Sequence, residues 1–155
     1  MKKIVLLICI PVIVWSMFLR QWQQNNVMHT WPQACLEKEC FLLEIADSHN
    51  ERMQWLMWRT VLDDNAWMLF IFDEMAPRRK FWMKDTLISL DMVWLDPSYT
   101  IVHIEQWVPP CTADPCPTFG PDAKKSQYVL EFNAWTINEL GSEIGDKVDI
   151  HNVSI

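Results

Sequence analysis

An apolar run at the start of the chain limits how much of it can form a globular domain. Residues 4–19 are hydrophobic apart from one proline and one serine, two lysines precede the run and Arg20 follows it. As a helix the run spans about 24 Å, slightly less than the roughly 30 Å hydrocarbon core of a bilayer. We therefore expect residues 1–20 to be an export signal that crosses the membrane as a transmembrane helix.

The fate of this segment depends on whether it is cleaved. No pair of small residues at the spacing of a cleavage site follows the run, which favours an uncleaved anchor over a cleaved signal peptide. The positive-inside rule then places the rest of the chain outside the cytoplasm. Residues 21–34 are rich in amides and predict a tether, and residues 35–155 predict a single β-rich globular domain. Cleavage would instead release a secreted protein.

The charge of the exported part limits its partners. Because Lys2, Lys3 and Arg20 are three of the 13 basic residues, 10 basic and 20 acidic residues follow Arg20, a net charge of −10. A surface of this sign repels phosphate backbones. We therefore expect no nucleic-acid partner. The expected partners are the membrane, through residues 4–19, and an unknown small ligand or envelope protein.

Apolar segments of strand length predict a sheet. Residues 67–72 form a continuous apolar run between polar loops, which is typical of a buried strand. Residues 87–95 and 101–106 flank the sequence Asp-Pro-Ser-Tyr, in which proline presets a type I turn. These two segments therefore predict a hairpin.

A further strand near the C-terminal end shows an alternating pattern. We expect Tyr128, Leu130 and Phe132 to point inward, because successive side chains of a strand lie on opposite faces. Val129 and Glu131 are then expected to point outward.

Two short helices complete the predicted fold. Residues 48–51 (SHNE) fit a capping box that opens a helix running to about Met57, with Met53, Leu56 and Met57 facing the core. Asn133 is expected to cap a second helix, which Gly141 ends. The pattern predicts an α+β domain of mostly antiparallel strands, built as a curled sheet or small open barrel with two short helices, behind an N-terminal transmembrane helix.

Four cysteines outside the apolar run form two pairs, with four residues between partners. The pairs are Cys35 with Cys40 and Cys111 with Cys116. An oxidising exterior favours disulfides, and we expect one bridge within each pair. A zinc site with four thiolates, a redox-active dithiol and free thiols are the alternatives.

Charged and aromatic residues supply candidates for a ligand site. The candidates are Arg59, Trp82, Lys84, Asp91 and Glu105. The Lys84 ammonium emerges from an aromatic segment, where it can bind a ligand or form a surface ion pair with Asp85 or Asp91. Arg59 can hold a carboxylate ligand or bind the carbonyl groups of a helix end.

Metal and cofactor motifs are missing from the sequence. The four histidines are scattered, with no second histidine or acid at metal spacing, so we expect no metal site. No phosphate-binding loop or serine nucleophile motif occurs, and we expect no cofactor.

Several stretches resemble the domain-of-unknown-function 192 family, from about residue 41 to residue 150. They are residues 44–47 (EIAD) leading to 56–59 (LMWR), residues 68–72 (MLFIF), residues 81–91 (FWMKDTLISLD), and residues 110–117 (PCTADPCP) followed by 128–133 (YVLEFN). The resemblance implies a compact β-rich domain, often behind a signal or anchor. It implies no established activity.

Tryptophan stands at four positions where the family pattern has glycine. These are Trp55, Trp58, Trp67 and Trp135, in a chain with 10 tryptophans and 3 glycines. Glycine accepts backbone angles closed to other residues, whereas tryptophan needs space for a large side chain. We hypothesise that the gene comes from a bacterium that reads UGA as glycine and that the sequence was translated with UGA as tryptophan. Genuine substitutions are the alternative.

Two functions are consistent with these patterns. The first is an envelope domain that binds a small ligand or protein partner, without catalysis, in a groove lined by Trp82, Lys84 and residues 110–117. The second is an enzyme on an envelope substrate, in which Lys84 and Asp91 transfer protons. We favour binding, because the sequence shows no acid, base and nucleophile that converge.

Overall fold

The computed structural model describes residues 31–54 and 56–154. The predicted anchor, residues 1–20, and most of the predicted tether lie outside the described residues. Within the described ranges, no helix is both long and apolar enough to cross a bilayer.

Nine strands and two short helices make up the described part of the chain. In sequence order they are β1 (Gln33–Leu36), β2 (Glu39–Ala46), α1 (His49–Gln54), β3 (Ala66–Pro77), β4 (Phe81–Trp82), β5 (Leu90–Leu95), β6 (Ile101–Val108), β7 (Thr118–Phe119), β8 (Lys125–Asn133), α2 (Thr136–Leu140) and β9 (Asp149–His151). Because β1 begins at Gln33, the last two residues of the predicted tether lie in a strand.

Seven of the strands form one sheet, in the order β6-β5-β8-β3-β2-β1-β9. Every neighbouring pair is antiparallel except β2 and β3, which run parallel and are joined by the segment that contains α1. The sheet is curled into a half-barrel. The predicted α+β fold of mostly antiparallel strands with two short helices is thereby confirmed. β4 and β7 pair separately.

Both faces of the sheet are covered by apolar side chains. Leu69, Val93 and Leu130 belong to the hydrophobic cluster on one face, and Met68 and Met92 belong to the cluster on the other. A strand that is buried on both faces must be apolar at nearly every position. The central strands β3, β5 and β8 therefore have nearly continuous apolar sequences.

This double burial corrects one expectation for β8. Val129 and Glu131 were expected to point outward, yet Val129 is fully buried and Glu131 is only 3% exposed. The alternation identifies two faces of a strand, but it does not show that either face meets water. Glu131 thus places a carboxyl group inside the protein.

The capping box at the start of α1 is confirmed. The Ser48 N–H donates to Glu51 Oε2 at 3.0 Å, and the Glu51 N–H donates to Ser48 Oγ at 3.3 Å. The helix ends at Gln54, before the expected Met57. Leu56, after the helix, is buried as expected, whereas Met53 is 41% exposed and Met57 is half-buried.

The predicted hairpin is also confirmed. β5 and β6 pair in antiparallel fashion on either side of the Asp-Pro-Ser-Tyr turn. The Tyr99 N–H donates to the Asp96 carbonyl oxygen at 3.0 Å, which closes the turn. Asp96 Oδ1 accepts the Ser98 N–H at 2.8 Å, so the turn is stabilised by its own first side chain.

Only the C-terminal end of α2 follows the prediction. Gly141 ends the helix with φ of 68°, and its N–H donates to the Ile137 carbonyl oxygen at 3.0 Å. Asn133 is not the cap, because its side-chain amide donates to the Leu62 carbonyl oxygen at 2.9 Å. Asp91 Oδ2 of β5 accepts the Ile137 N–H instead, at 3.0 Å. A tertiary contact thus replaces the local cap.

Candidate functional site

A groove lies where the end of β4 faces the second cysteine loop. We call it the outer groove; it has a volume of about 350 Å³. Its lining residues are Trp82, Lys84, Asp85, Cys111, Ala113, Asp114, Pro115 and Cys116. The sequence predicted a groove with these elements, and the structure brings them together; whether the groove binds a ligand stays a prediction.

Both predicted disulfides are present. Cys111 is bonded to Cys116, which closes the loop that forms one wall of the outer groove. Cys35 is bonded to Cys40 across the paired strands β1 and β2, far along the chain from the groove residues. One bridge therefore shapes the candidate site, and the other ties an edge hairpin of the sheet.

Lys84 and Trp82 present a cation and an aromatic ring to the outer groove. The Trp82 side chain is 42% exposed, and the Lys84 ammonium lies 5.5 Å from the centre of its ring. A cation above an indole face is attracted by the ring. Among the described residues, Lys84 forms no ion pair with Asp85, Asp91 or another carboxylate.

A smaller cavity shares two lining residues with the outer groove. We call it the inner cavity; its volume is about 40 Å³. It is lined by Arg52, Met53, Leu56, Met57, Phe70, Phe81, Trp82, Lys84, Thr86 and Glu131. Trp82 and Lys84 line both spaces, so the inner cavity and the outer groove adjoin at these two side chains.

Glu131 is the most unusual group in this region. It comes from the central strand β8, where its neighbours are Met68 of β3 and Met92 of β5. Burial raises the pKa of its carboxyl to about 8, because the charged form loses its hydration. In the described part of the chain no hydrogen bond or ion pair reaches this carboxyl. At neutral pH it is mainly a protonated acid and can donate a hydrogen bond.

Sequence reasoning missed Glu131 although the sequence holds a signal for it. The residue stands alone among apolar residues of a strand, with Leu130 before it and Phe132 after it. Had β8 been recognised as a central strand covered on both faces, the carboxyl would have been predicted to be buried. The central position of β8 is known only from the strand order of the sheet.

Arg59 does not line the outer groove. Its guanidinium forms a two-pronged ion pair with Glu44 of β2, at 2.9 Å from Nη1 to Oε1 and 2.6 Å from Nη2 to Oε2. This contact raises the pKa of Arg59 through hydrogen bonding to the carboxylate. The guanidinium therefore holds a carboxylate of its own chain, and its binding to the carbonyl groups of a helix end stays a prediction. Its role as a ligand contact stays a prediction.

Asp91 has a different environment from Lys84. It is fully buried, and its two oxygens accept the N–H groups of Trp107 at 2.9 Å and Ile137 at 3.0 Å. It does not line either of the cavities that Lys84 lines. The contacts of Asp91 tie β5 to the end of β6 and to α2.

Glu105 also serves the framework. Its Oε1 atom accepts the Gly120 N–H at 3.1 Å and lies 2.9 Å from His103 Nε2. A Cβ atom at Gly120 would lie 2.7 Å from the Arg79 carbonyl oxygen and 2.8 Å from the Trp94 ring, so only glycine fits there. Glu105 therefore holds the backbone at the point where the loop after β7 passes close to Arg79 and Trp94.

A third cavity, of about 480 Å³, lies between β2, β3 and α2 and has several acidic residues at its edge. They are Glu39, Asp63, Asp64 and Glu139. Across the described ranges, no group of three or more His, Cys, Asp or Glu side chains could hold a metal ion.

The described part of the chain is thus a small half-barrel domain with a disulfide-closed groove and a buried carboxyl. The family model DUF192, described as "Uncharacterized ACR", matches residues 33–150. The chain belongs to this family. No curated protein matched the chain.

Two solved structures are similar to this domain. One, from Sinorhizobium meliloti 1021, is described as a "putative transcription regulator"; it is 28% identical, with a TM-score of 0.68, and the match covers 79% of this chain and 93% of that one. The other is a protein of unknown function from Novosphingobium aromaticivorans, 29% identical, with a TM-score of 0.62, and the match covers 76% and 83%. Neither description names a ligand or a reaction.

Proposed function

We propose that the chain is a membrane-anchored domain, exposed outside the cytoplasm, that binds a small ligand in the outer groove without catalysis. The two disulfides support this location, because such bonds persist in oxidising compartments. The apolar N-terminal run supplies the anchor. The acidic net charge argues against DNA as a partner, whatever the related protein from Sinorhizobium binds.

One observation carries the binding proposal. Lys84, without an ion pair among the described residues, lies over the exposed ring of Trp82 in a groove whose far wall is a disulfide-closed loop. Its volume of about 350 Å³ lies within the range of about 300–1,000 Å³ that is typical of small-molecule sites. An exposed cation and an exposed ring in one concavity are suited to contact a ligand.

The alternative enzyme has less support. It requires Lys84 and Asp91 to exchange protons with one substrate, but Asp91 is fully buried and both of its oxygens are occupied by backbone N–H groups. A general acid or base must come within hydrogen-bond reach of the substrate. We therefore retain binding as the proposed function.

The proposal can be tested on the full chain in detergent, labelled with fluorotryptophan. The ¹⁹F resonance of Trp82 is assigned by its loss in Trp82→Phe. We expect a member of a panel of benzoate, monosaccharides and small amines to shift this resonance in a saturable way. Lys84→Met should weaken the binding of an anionic hit at least tenfold, which corresponds to about 1.4 kcal/mol.

A matched control is Lys147→Met, which changes a lysine close to β9. It should bind the same hit as tightly as the unmodified chain does. A Trp82 resonance that no class of probe shifts, or a hit that binds equally well to Lys84→Met and to the unmodified chain, would refute the proposed groove.

The location is tested separately in intact native cells. After mild reduction, a membrane-impermeant maleimide should label Cys111 and Cys116 without cell lysis. Labelling that requires lysis would show that the domain lies in the cytoplasm.

A further inference from the structure

The inner cavity holds a carboxyl group that the fold itself does not use. Glu131 is only 3% exposed, and in the part of the chain that the structure describes no hydrogen bond or ion pair holds its side chain. Asp91, by contrast, is equally buried and accepts two backbone N–H groups. The Glu131 side chain therefore lines a cavity, whereas the Asp91 carboxylate is hydrogen-bonded to backbone N–H groups.

Burial of such a carboxyl is unfavourable for folding. An acid without a partner in an apolar environment loses its hydration, and an apolar side chain at the same place would avoid this cost. The neighbours Met68 and Met92 show that the surrounding sheet positions accept apolar residues. A carboxyl group that destabilises the fold and lines a cavity is suited to contact a ligand that enters the cavity.

We propose that the inner cavity receives the carboxylate group of a small organic acid, with the protonated Glu131 carboxyl as hydrogen-bond donor and the Lys84 ammonium as counter-ion. This inference rests on the proposed function, because the remainder of the acid would occupy the outer groove. It goes further by naming the chemical class of the ligand and the residue at the base of the site.

The charges around the cavity select an anion over a cation. The charged side chains that line the cavity together with Glu131 are Arg52 of α1 and Lys84 after β4. The neighbouring strands present no titratable group there, since β3 contributes Phe70 and Met68 and β5 contributes Met92. Two positive charges repel an ammonium ligand and attract a carboxylate.

Lys84 is the more available of the two cations. The Arg52 guanidinium donates to the carbonyl oxygens of Asp47 and Ile71, the latter at 2.8 Å, and lies 4.9 Å from the Phe72 ring centre. Its hydrogen-bonding positions are therefore partly occupied. Lys84 is exposed and lies beside the boundary of both spaces.

The volumes of the two spaces determine which part of the ligand each of them can hold. A volume of about 40 Å³ accommodates a group of one or two water molecules, which suits a carboxylate and excludes a whole metabolite. The outer groove, at about 350 Å³, accommodates the body of the acid. Because Trp82 and Lys84 line both spaces, a ligand that contacts these two side chains can extend from one space into the other.

The test uses the full chain in detergent, labelled with ¹³C at the glutamate side-chain carboxyl. Glu131→Gln assigns the Glu131 resonance by its absence. Acetate is the probe, and methylammonium at the same concentration is the probe of opposite charge. We expect acetate to shift the resonance and to raise the pH midpoint of its titration, because the anion binds to the protonated acid.

The same model predicts how acetate affinity depends on pH. Only the protonated fraction of Glu131 binds the anion, so affinity should fall about tenfold for each pH unit above the midpoint. Glu131→Gln keeps a donor without titrating, and it should bind acetate with little change over that range. Lys84→Met should lose at least tenfold in acetate affinity at every pH.

The outcomes separate this inference from the proposed function. A probe that shifts the Trp82 resonance and leaves Glu131 unchanged would overturn the carboxylate site and retain the outer groove. A midpoint that acetate lowers, or that methylammonium shifts while acetate does not, would also overturn the carboxylate site. If neither Trp82 nor Glu131 responds to any probe, both proposals fall.

Discussion

At the scale of single residues, two buried acids have opposite roles. Asp91 is held by backbone donors and stabilises the fold, whereas Glu131 is held by no donor among the described residues and is destabilising when ionised. Both lie on central strands of the same sheet. The difference between them is made by their neighbours.

Glu131 should make the domain less stable as the pH rises. Its pKa is about 8 in the folded protein against an ordinary value of 4.5, so the folded state retains a proton that the unfolded state releases. This contribution is fully present below about pH 4.5 and is lost as the pH rises through 8, at about 1.4 kcal/mol for each pH unit between.

Thermal unfolding of the unmodified chain and of Glu131→Gln measures this effect. The difference in melting temperature should widen in favour of the variant between pH 5 and about pH 8 and then stay constant. Glu39→Gln, at an exposed position of β2, should follow the unmodified chain. A difference between Glu131→Gln and the unmodified chain that does not change with pH would show that Glu131 is not buried as an acid.

Asp91→Ala should lower the free energy of unfolding by about 3 kcal/mol. It leaves the N–H groups of Trp107 and Ile137 without their acceptor inside the protein. Denaturant titration measures the loss. Asp149→Ala, on the exposed side of β9, should change stability by less than about 0.5 kcal/mol. Equal effects of the two substitutions would contradict the role given to Asp91.

The tryptophans that stand in place of glycine differ in backbone angle and in burial. Trp58 and Trp135 have φ of 66° and 82°, in the left-handed region that glycine favours, and Trp107 joins them at 60°. Trp67 is 1% exposed and stacks on Phe41 at 4.1 Å between ring centres. Trp55 lies outside the described residues. Positive φ also occurs at five described residues of other types, Glu37, Arg78, Asp85, Tyr99 and Asn152. The backbone angles are thus consistent with the UGA hypothesis at Trp58, Trp107 and Trp135, and the packing of Trp67 favours a genuine tryptophan there.

Intact mass of the protein from its native cell tests this hypothesis. We expect a mass lower than that of the printed sequence by whole multiples of the difference between tryptophan and glycine, with peptide mapping that places glycine at Trp58, Trp107 and Trp135. A mass that fits all ten tryptophans would end the hypothesis, and the three left-handed tryptophans would then be genuine strained positions.

At the scale of structural elements, the loop closed by Cys111 and Cys116 is the wall of the outer groove. Replacing both cysteines by serine should lower the free energy of unfolding by about 2 kcal/mol, the value expected for so short a loop. It should also weaken a ligand found in the Trp82 screen. The loss is measured by ¹⁹F titration of that ligand.

The matched control replaces Cys35 and Cys40 by serine. That bridge ties β1 to β2 and lines none of the groove, so ligand affinity should be unchanged although stability falls. Equal affinity in both double variants would show that the second disulfide does not shape the binding site.

Elements that depend on local sequence were predictable. The capping box of α1, the turn between β5 and β6 and the Gly141 end of α2 each depend on residues within a few positions of one another. The site was predictable in part, because Trp82, Lys84 and the second cysteine loop stand out by residue type. Three features could not be predicted: the burial of Glu131, the contact of Asp91 with the start of α2 and the exposure of Met53. They depend on the strand order and on packing between distant residues, which a single sequence does not show.

At the scale of the whole molecule, the proposed composite site combines residues of the central sheet with the second cysteine loop. The half-barrel places β8 at the centre of the sheet, so that the Glu131 carboxyl reaches the inner cavity, while β4 and the cysteine loop hold the outer groove. The family match and the two similar structures establish the fold of this domain. Its ligand is the part that experiment must supply.

A crystal structure of the chain soaked with bromobenzoate tests the composite site most directly. The anomalous signal of bromine locates the ring, and the electron density locates the carboxylate. We expect the ring in the outer groove against Trp82 and the carboxylate between Lys84 and Glu131. Bromine bound elsewhere on the protein, with the inner cavity unchanged, would contradict the account.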